Sequence, residues 1–281
     1  MSDVGASAGV LPPTVEDIEV GLLLEGVYRQ YGYDFRDYAM ASVRRRVRHL
    51  LREEGLATVS GLQEKVLHDP RALQRFVVTL SVNVTSMFRD PTFYKMLRER
   101  VVPLLRTYPK VRIWHAGCAT GEEAYSFAIV LEEEGLYDRC QIYATDMNEA
   151  VLKTAAAGEV PLRGMRENTA NYLRSGGRRA FASFYTAVED RAVLHPSLRR
   201  NLVFAQHNLV TDRSFNEFNV VLCRNVLIYF NRQLQDRVHR LFYQSLVRFG
   251  FLALGAKETV QFSAHQSAYE DLGERIYRKV A

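Results

Sequence analysis

The sequence predicts an α/β protein in which a doubly wound, mostly parallel sheet follows a small all-helical N-terminal domain. Two patterns carry that prediction. Up to about Leu80 the apolar spacing is helical and glycine is sparse. After Pro91, short apolar runs alternate with helical stretches, as in a parallel sheet buried on both faces. Length agrees, because 281 residues exceed one small core and suit one large domain or two ordinary ones.

Residues 1–13 are small, polar or proline, and a disordered tail ending at Pro12-Pro13 is expected. A helical domain and linker then spans 14–90. Tyr28, Tyr31 and Tyr33 mark a break around Gly32, and Gly55 caps a basic helix over 36–54. Thr58 or Ser60 caps the next helix, and Asp69-Pro70 opens another with proline at its first position. The second domain, 91–281, begins with a helix over 91–107. The run 111–116 reads as a strand, followed by a glycine loop and a helix from Glu122 to Glu134. A second strand at 141–146 leads to a helix over 149–157. Further buried strands are expected at 201–206, 219–223 and 250–255, with a long helix over 232–248 between the last two. The stretch 171–203 breaks the alternation and reads as a small β excursion.

Several classes drop out. No run approaches the roughly 20 apolar residues of a membrane span, and the N-terminus lacks the basic and apolar regions of a secretory signal. Cys118, Cys140 and Cys223 are odd in number and widely separated, which suits neither a disulfide framework nor a zinc site. A reduced, cytoplasmic protein without a metal is expected. Thirty-seven basic against 32 acidic side chains give +5, which by itself selects no partner.

The strongest local signal is Ile113-Trp-His-Ala-Gly-Cys-Ala-Thr-Gly-Glu-Glu123, between a strand and a helix. Gly117 and Gly121 admit a ligand close to the backbone at a helix N-terminus. Glu122 and Glu123 would repel a pyrophosphate, so a dinucleotide is disfavoured and a ligand with positive charge fits. S-adenosylmethionine carries two such charges. Asp146 ends the second strand, 25 residues after Gly121. It can accept from two ribose hydroxyls or cap the following helix, and the glycine loop favours the ribose. Three more elements sit at strand ends or junctions: Gln206-His-Asn-Leu209, Cys223-Arg-Asn-Val-Leu-Ile-Tyr-Phe230 and Asn83-Val-Thr-Ser-Met-Phe-Arg-Asp-Pro91.

Taken in order, these motifs resemble the CheR family of chemotaxis receptor methyltransferases, over about 22–279. The resemblance implies a class I S-adenosylmethionine-dependent methyltransferase domain, a helical domain before it and a small antiparallel β subdomain inserted at about 171–203. It implies transfer of a methyl group to receptor glutamates, leaving S-adenosylhomocysteine. It implies cofactor contacts at Asn83, Thr85, Arg89, Glu123, Asp146, Asn208, Leu209, Arg224 and Asn225, beside Gly117 of the loop. Arg89 and Tyr229 match the positions beside the transferring methyl, so they are the expected catalytic residues. His115 and His207 then read as scaffold or pocket lining.

At 100° per residue, Arg44, Arg45, Arg48 and Arg52 share one arc of the basic helix. A solvated face is the usual meaning of such a stripe. In an enzyme acting on the acidic cytoplasmic helices of methyl-accepting receptors, docking is the better one. A monomer that binds no nucleic acid and inserts in no membrane is expected. The alternatives are a non-catalytic module that senses S-adenosylmethionine or docks to signalling partners, and a nucleic-acid methyltransferase. The latter lacks its Asp/Asn-Pro-Pro-aromatic or Pro-Cys signature here.

Overall fold

A computed structural model of the chain describes residues 12–81 and 85–280. The expectations for residues 1–11 and for Asn83 lie outside them. The chain divides into two compact units, Met1–Leu80 and Ser81–Ala281, a division upstream of the expected boundary after residue 90.

The first unit is helical. Helix α1, Val15–Tyr31, opens with a capping box: the Thr14 hydroxyl accepts the Asp17 N–H and the Asp17 carboxylate accepts the Thr14 N–H. Helix α2 runs Met40–Glu54 and ends at left-handed Gly55, so it starts later than the expected 36. The Asp34 carboxylate accepts the Arg36 N–H at 3.2 Å and both Nε and Nη2 of Arg36 at 2.9 Å. That local pairing keeps residues 34–37 out of the helix, with a turn at 36–37. Thr58, and not Ser60, caps α3 (Val59–His68), and α4 (Pro70–Ser81) begins at its proline. Val20, Leu23, Val27, Val43, Val47, Leu62, Val66, Phe76 and Leu80 form the unit's buried interior. Buried Arg46 donates to the Leu80 carbonyl at 3.1 Å, satisfying an orphan acceptor near the end of α4.

The second unit opens on α5, Pro91–Met96, but the expected single helix to 107 is interrupted. A π-helical turn, Leu97–Val101, intervenes before a last turn α6, Val102–Leu105. The turn carries Arg98, whose guanidinium pairs with Glu133 and, at 3.1 Å, with Glu134. Then follow β1 (Val111–Ala116), α7 (Glu122–Glu133), β2 (Cys140–Asp146), α8 (Glu149–Ala157), β3 (Glu159–Pro161), α9 (Met165–Arg174), β4 (Tyr185–Val188), β5 (Arg191–Leu194), α10 (Pro196–Arg199), β6 (Leu202–Gln206), β7 (Phe218–Cys223), α11 (Arg232–Ser245), β8 (Leu246–Leu254), β9 (Tyr269–Gly273) and β10 (Ile276–Lys279). Helix α11 stops at Ser245 instead of 248, because Leu246 already has extended backbone angles and enters β8.

Among the described residues one sheet has seven strands in the order β6-β2-β1-β7-β8-β10-β9. The first five are parallel, and β10 runs antiparallel between β8 and β9. Strand order reverses between β1 and β7, the switch point at which open α/β sheets bind ligands. The central strands β1 and β7 are buried on both faces, as parallel strands require, whereas the edge strand β6 is partly open to solvent. From β1, Val111 and Ile113 enter the core that includes Phe127 and Ile129 of α7. Trp114 points the other way, with its ring against Phe218 and Phe242 and its Nε1 donating to Thr145 at 2.8 Å.

A separate three-stranded antiparallel sheet has the order β3-β5-β4. Its hairpin, β4–β5, falls inside the expected excursion at 171–203. Its third strand, β3, comes from before it, so the excursion begins earlier than the sequence suggested. Phe181 stacks on Tyr172 and fixes this sheet to α9.

Candidate functional site

The loops that leave β1, β2, β6 and β7 meet at the C-terminal edge of the sheet. Hydrogen bonds tie the first two together. Thr145 accepts the N–H groups of Gly117 and Cys118 at 2.8 and 2.9 Å, and the Asp146 carboxylate accepts the Ala119 N–H at 3.0 Å. Gly117 has φ 79°, and a Cβ there would stand 2.6 Å from Val226 Cγ2. The β1 and β7 loops therefore approach at a distance that only glycine allows.

Asp146 does not cap α8; Asn148 does, accepting the Ala150 N–H. One oxygen of Asp146 is held by Ala119 and the other by Asn148 N–H at 3.0 Å. Each keeps lone-pair capacity for a further donor. Burial pushes this carboxyl above the ordinary range, against the pull of the backbone N–H groups of Asn148, Ala119 and Met147. The His207 N–H donates to the Asp146 carbonyl at 3.1 Å, which brings the β6 loop, with half-buried Asn208 and Leu209, alongside.

A second cluster surrounds Arg224, whose side chain is only 2% exposed. Its Nη1 donates to Glu123 Oε2 at 2.9 Å and its Nη2 to Asp90 Oδ2 at 2.8 Å, and both reach the Arg89 carbonyl at 3.4 Å. The guanidinium lies 4.0 Å from the Phe93 ring centroid. Glu123 also receives His115 Nδ1 at 3.2 Å. Burial raises the Glu123 carboxyl, but the His115 hydrogen bond and the Arg224 charge outweigh it, and the group sits below its usual range. An ionised acceptor at a helix N-terminus results.

Arg89 itself is half-buried between two left-handed residues, Phe88 (φ 53°) and Asp90 (φ 58°). A buried phenylalanine in that region is strained. The Phe88 N–H is held by Ser126 Oγ at 2.9 Å, and its ring packs on Tyr94 and Tyr172. Asp90 occupies the N-cap position of α5, but its side chain makes no capping bond and turns to Arg224. Thr85 is half-buried at the start of this segment.

Beyond β7, Asn225 (φ 63°) precedes a 3-10 turn, Leu227–Tyr229, which ends on half-buried Tyr229. Sequence reading missed the group that holds this turn. Glu258, from the loop after β8, is 4% exposed, and its carboxylate accepts the N–H groups of Asn225 and Val226, each at 2.9 Å. The available signal was a lone acid in Gly255-Ala-Lys-Glu258, directly after a buried strand.

The arginine stripe lies on α2 in the other unit. Arg45, Arg48 and Arg52 are exposed, and Arg44 is half-buried. Arg44 is ion-paired to Asp17, and Arg48 donates twice to Glu16 at 2.7 Å. Arg45 and Arg52 have no ion pair among the described residues.

A family model described as "CheR methyltransferase, SAM binding domain" matches residues 83–277, and one described as "CheR methyltransferase, all-alpha domain" matches 18–81. The chain belongs to the CheR methyltransferase family. It is 51% identical to Cher3 of Pseudomonas putida over 265 residues, covering 94% of this chain and 97% of that one. It is 30% identical to a chemotaxis protein methyltransferase of Listeria innocua, over 83% of this chain and 87% of that one. Chemotaxis protein methyltransferase 1 of Pseudomonas aeruginosa is 29% identical, over 76% and 80%.

The cofactor is S-adenosylmethionine, and the described residues suit it. The Asp146 oxygens retain capacity for hydroxyl donors, and Glu123 is an anion at the N-terminus of α7. As a CheR methyltransferase the chain is S-adenosylmethionine-dependent. No helix among its described residues is long and apolar enough to cross a membrane.

Proposed function

We propose that this CheR methyltransferase esterifies glutamate side chains on the cytoplasmic helices of methyl-accepting chemotaxis receptors. When bound, S-adenosylmethionine supplies an electrophilic methyl group on a sulfonium. A glutamate with a pKa near 4.3 is already anionic at neutral pH, so the enzyme needs alignment and exclusion of water, not a general base. Asp146 would accept from the ribose. Thr85, Asn208, Leu209, Asn225 and, outside the described residues, Asn83 would line the cofactor.

One observation carries the reading: Arg89 follows a left-handed, packed Phe88, and its own carbonyl is gripped by Arg224. A cation fixed at both flanks suits the orientation of an incoming carboxylate. Arg89 would position that carboxylate while Tyr229 shapes the sulfonium pocket. The Arg224 fork is committed to Glu123 and Asp90, which supports an indirect role for it, holding Glu123 ionised and Arg89 in place.

The experiment is incubation with methyl-labelled S-adenosylmethionine and candidate receptors, scored for base-labile methyl ester. Label released as methanol by mild base supports the proposal. Cofactor binding without any methyl ester would favour a sensing module, and base-stable label would mean a different acceptor.

A further inference from the structure

Glu258 stands outside every motif named so far, yet it makes an unusual set of contacts. Its Oε1 accepts the N–H groups of Val226 (2.9 Å) and Ile228 (3.3 Å), and its Oε2 those of Asn225 (2.9 Å) and Gly255 (2.6 Å). Four backbone donors on one buried carboxylate bind together the ends of β7 and β8, two neighbouring strands. Without an anion there, the left-handed Asn225 and the start of the 3-10 turn would bury several unsatisfied N–H groups. Gly255 is part of the same device. A Cβ on it would lie 2.7 Å from Asn225 N and 2.7 Å from Glu258 Oε2, so no other residue leaves the clasp closed.

The held segment faces the site on two sides. Val226 is the residue against which Gly117 closes, and Asn225 and Tyr229 flank it in sequence. We propose that Glu258 is a positioning residue for methyl transfer, an anionic clasp that sets the β7 loop and through it Asn225, Tyr229 and the spacing to the glycine loop. This deepens the proposed reaction and rests on it. Glutamine cannot replace the acid, because its amide would turn N–H donors toward Asn225 and Gly255, which also donate. Aspartate keeps the charge one methylene short and should rescue in part.

The test compares Glu258→Gln, Glu258→Asp and Gly255→Ala with wild type. Gly255→Ala leaves the acid in place and displaces the same loop sterically, so it serves if Glu258→Gln does not fold. Readouts are S-adenosylhomocysteine affinity by calorimetry, amide exchange at Asn225, Val226 and Ile228, and kcat and KM for receptor methylation. A loop displaced by a fraction of an ångström should lower kcat about 100-fold, leave receptor KM unchanged and weaken cofactor binding several-fold. Exchange at the three amides should accelerate, and Glu258→Asp should lie between wild type and Glu258→Gln. Folded Glu258→Gln and Gly255→Ala with wild-type kcat and cofactor affinity would overturn the proposal. Unfolding of all three variants would also overturn it, making Glu258 a determinant of the fold alone. Wild type that binds cofactor but methylates no receptor would remove the proposed reaction and leave the affinity and exchange arms to judge the clasp.

Discussion

Asp146 shows how a single side chain can be legible in its place and not in its contacts. Its position at the end of a strand after a glycine loop identified it, but nothing in the sequence showed that Ala119 and Asn148 would share its two oxygens. Asp146→Ala should weaken S-adenosylmethionine binding by about 1.5–3 kcal/mol, the scale of lost charge-assisted hydrogen bonds. Since burial raises this carboxyl, the folded protein takes up its proton at higher pH than a free aspartate would. The ionised form that accepts ribose hydroxyls is therefore lost on acidification at a higher pH than in a free aspartate. Calorimetric affinity should fall on acidification, and Asp146→Asn should be weak but nearly free of that slope. Arg89 invites a different comparison. Arg89→Ala should reduce methyl transfer far more than thermal stability, and Arg89→Lys should restore only part, because an ammonium lacks the planar fork. Wild-type turnover in both would remove the residue from the reaction.

Between elements, the sequence declared what repeats and concealed what is satisfied by distant partners. Alternating apolar runs gave the parallel strands, because burial on both faces leaves that mark in composition. Residues 36–39 looked helical because propensity is local, and the Asp34–Arg36 pairing that unwinds them is a side-chain geometry. The β9–β10 pair escaped notice because β9 is a half-exposed edge strand and β10 carries only two buried apolar residues, Ile276 and Tyr277. Arg224 was visible as a polar residue at a strand end, but its carboxylate partners come from α7 and from the segment before α5. Arg224→Met should cost up to about 3 kcal/mol, since Glu123 keeps only His115 and the more exposed Asp90 loses its cation. Urea titration followed by Trp114 fluorescence would measure it. Distant partners also constrain how the arginine stripe can be tested. Arg44 and Arg48 already answer to Asp17 and Glu16, so reversing Arg48 would set two glutamates together on α1 and α2. Arg45→Glu with Arg52→Glu is the cleaner variant. It should raise receptor KM several-fold at low salt, flatten the salt dependence and spare cofactor affinity. Unchanged receptor kinetics would make the stripe a solvated face.

For the molecule as a whole, acid sensitivity should be set in part by His239 of α11. Burial depresses this imidazole to about 4, and its Nδ1 is buried without a partner among the described residues. An unfolded chain protonates the same group near 6.5. Stability is thus fully present above about pH 6.5 and declines as pH falls toward 4, by up to about 3 kcal/mol. Unfolding of the Ser81–Ala281 unit at pH 7 and pH 4.5 should show that loss, and His239→Gln should shrink it. An identical slope in the variant would place the acid sensitivity elsewhere.

Cys118, Cys140 and Cys223 are all free and buried. Burial lifts Cys140 to about 12 and the other two further above the ordinary thiol range. An alkylating reagent needs both thiolate and access, so each sulfur is modified only in a transiently opened molecule, at a rate that reports the free energy of opening nearby. Cys118 lies in the glycine loop, whereas Cys140 begins β2 at the opposite end of the strand from Asp146. Saturating S-adenosylhomocysteine should slow labelling of Cys118 more than that of Cys140, and mass spectrometry resolves the two. The fold thereby carries its own occupancy gauge, one that reads cofactor engagement in the absence of any methyl acceptor.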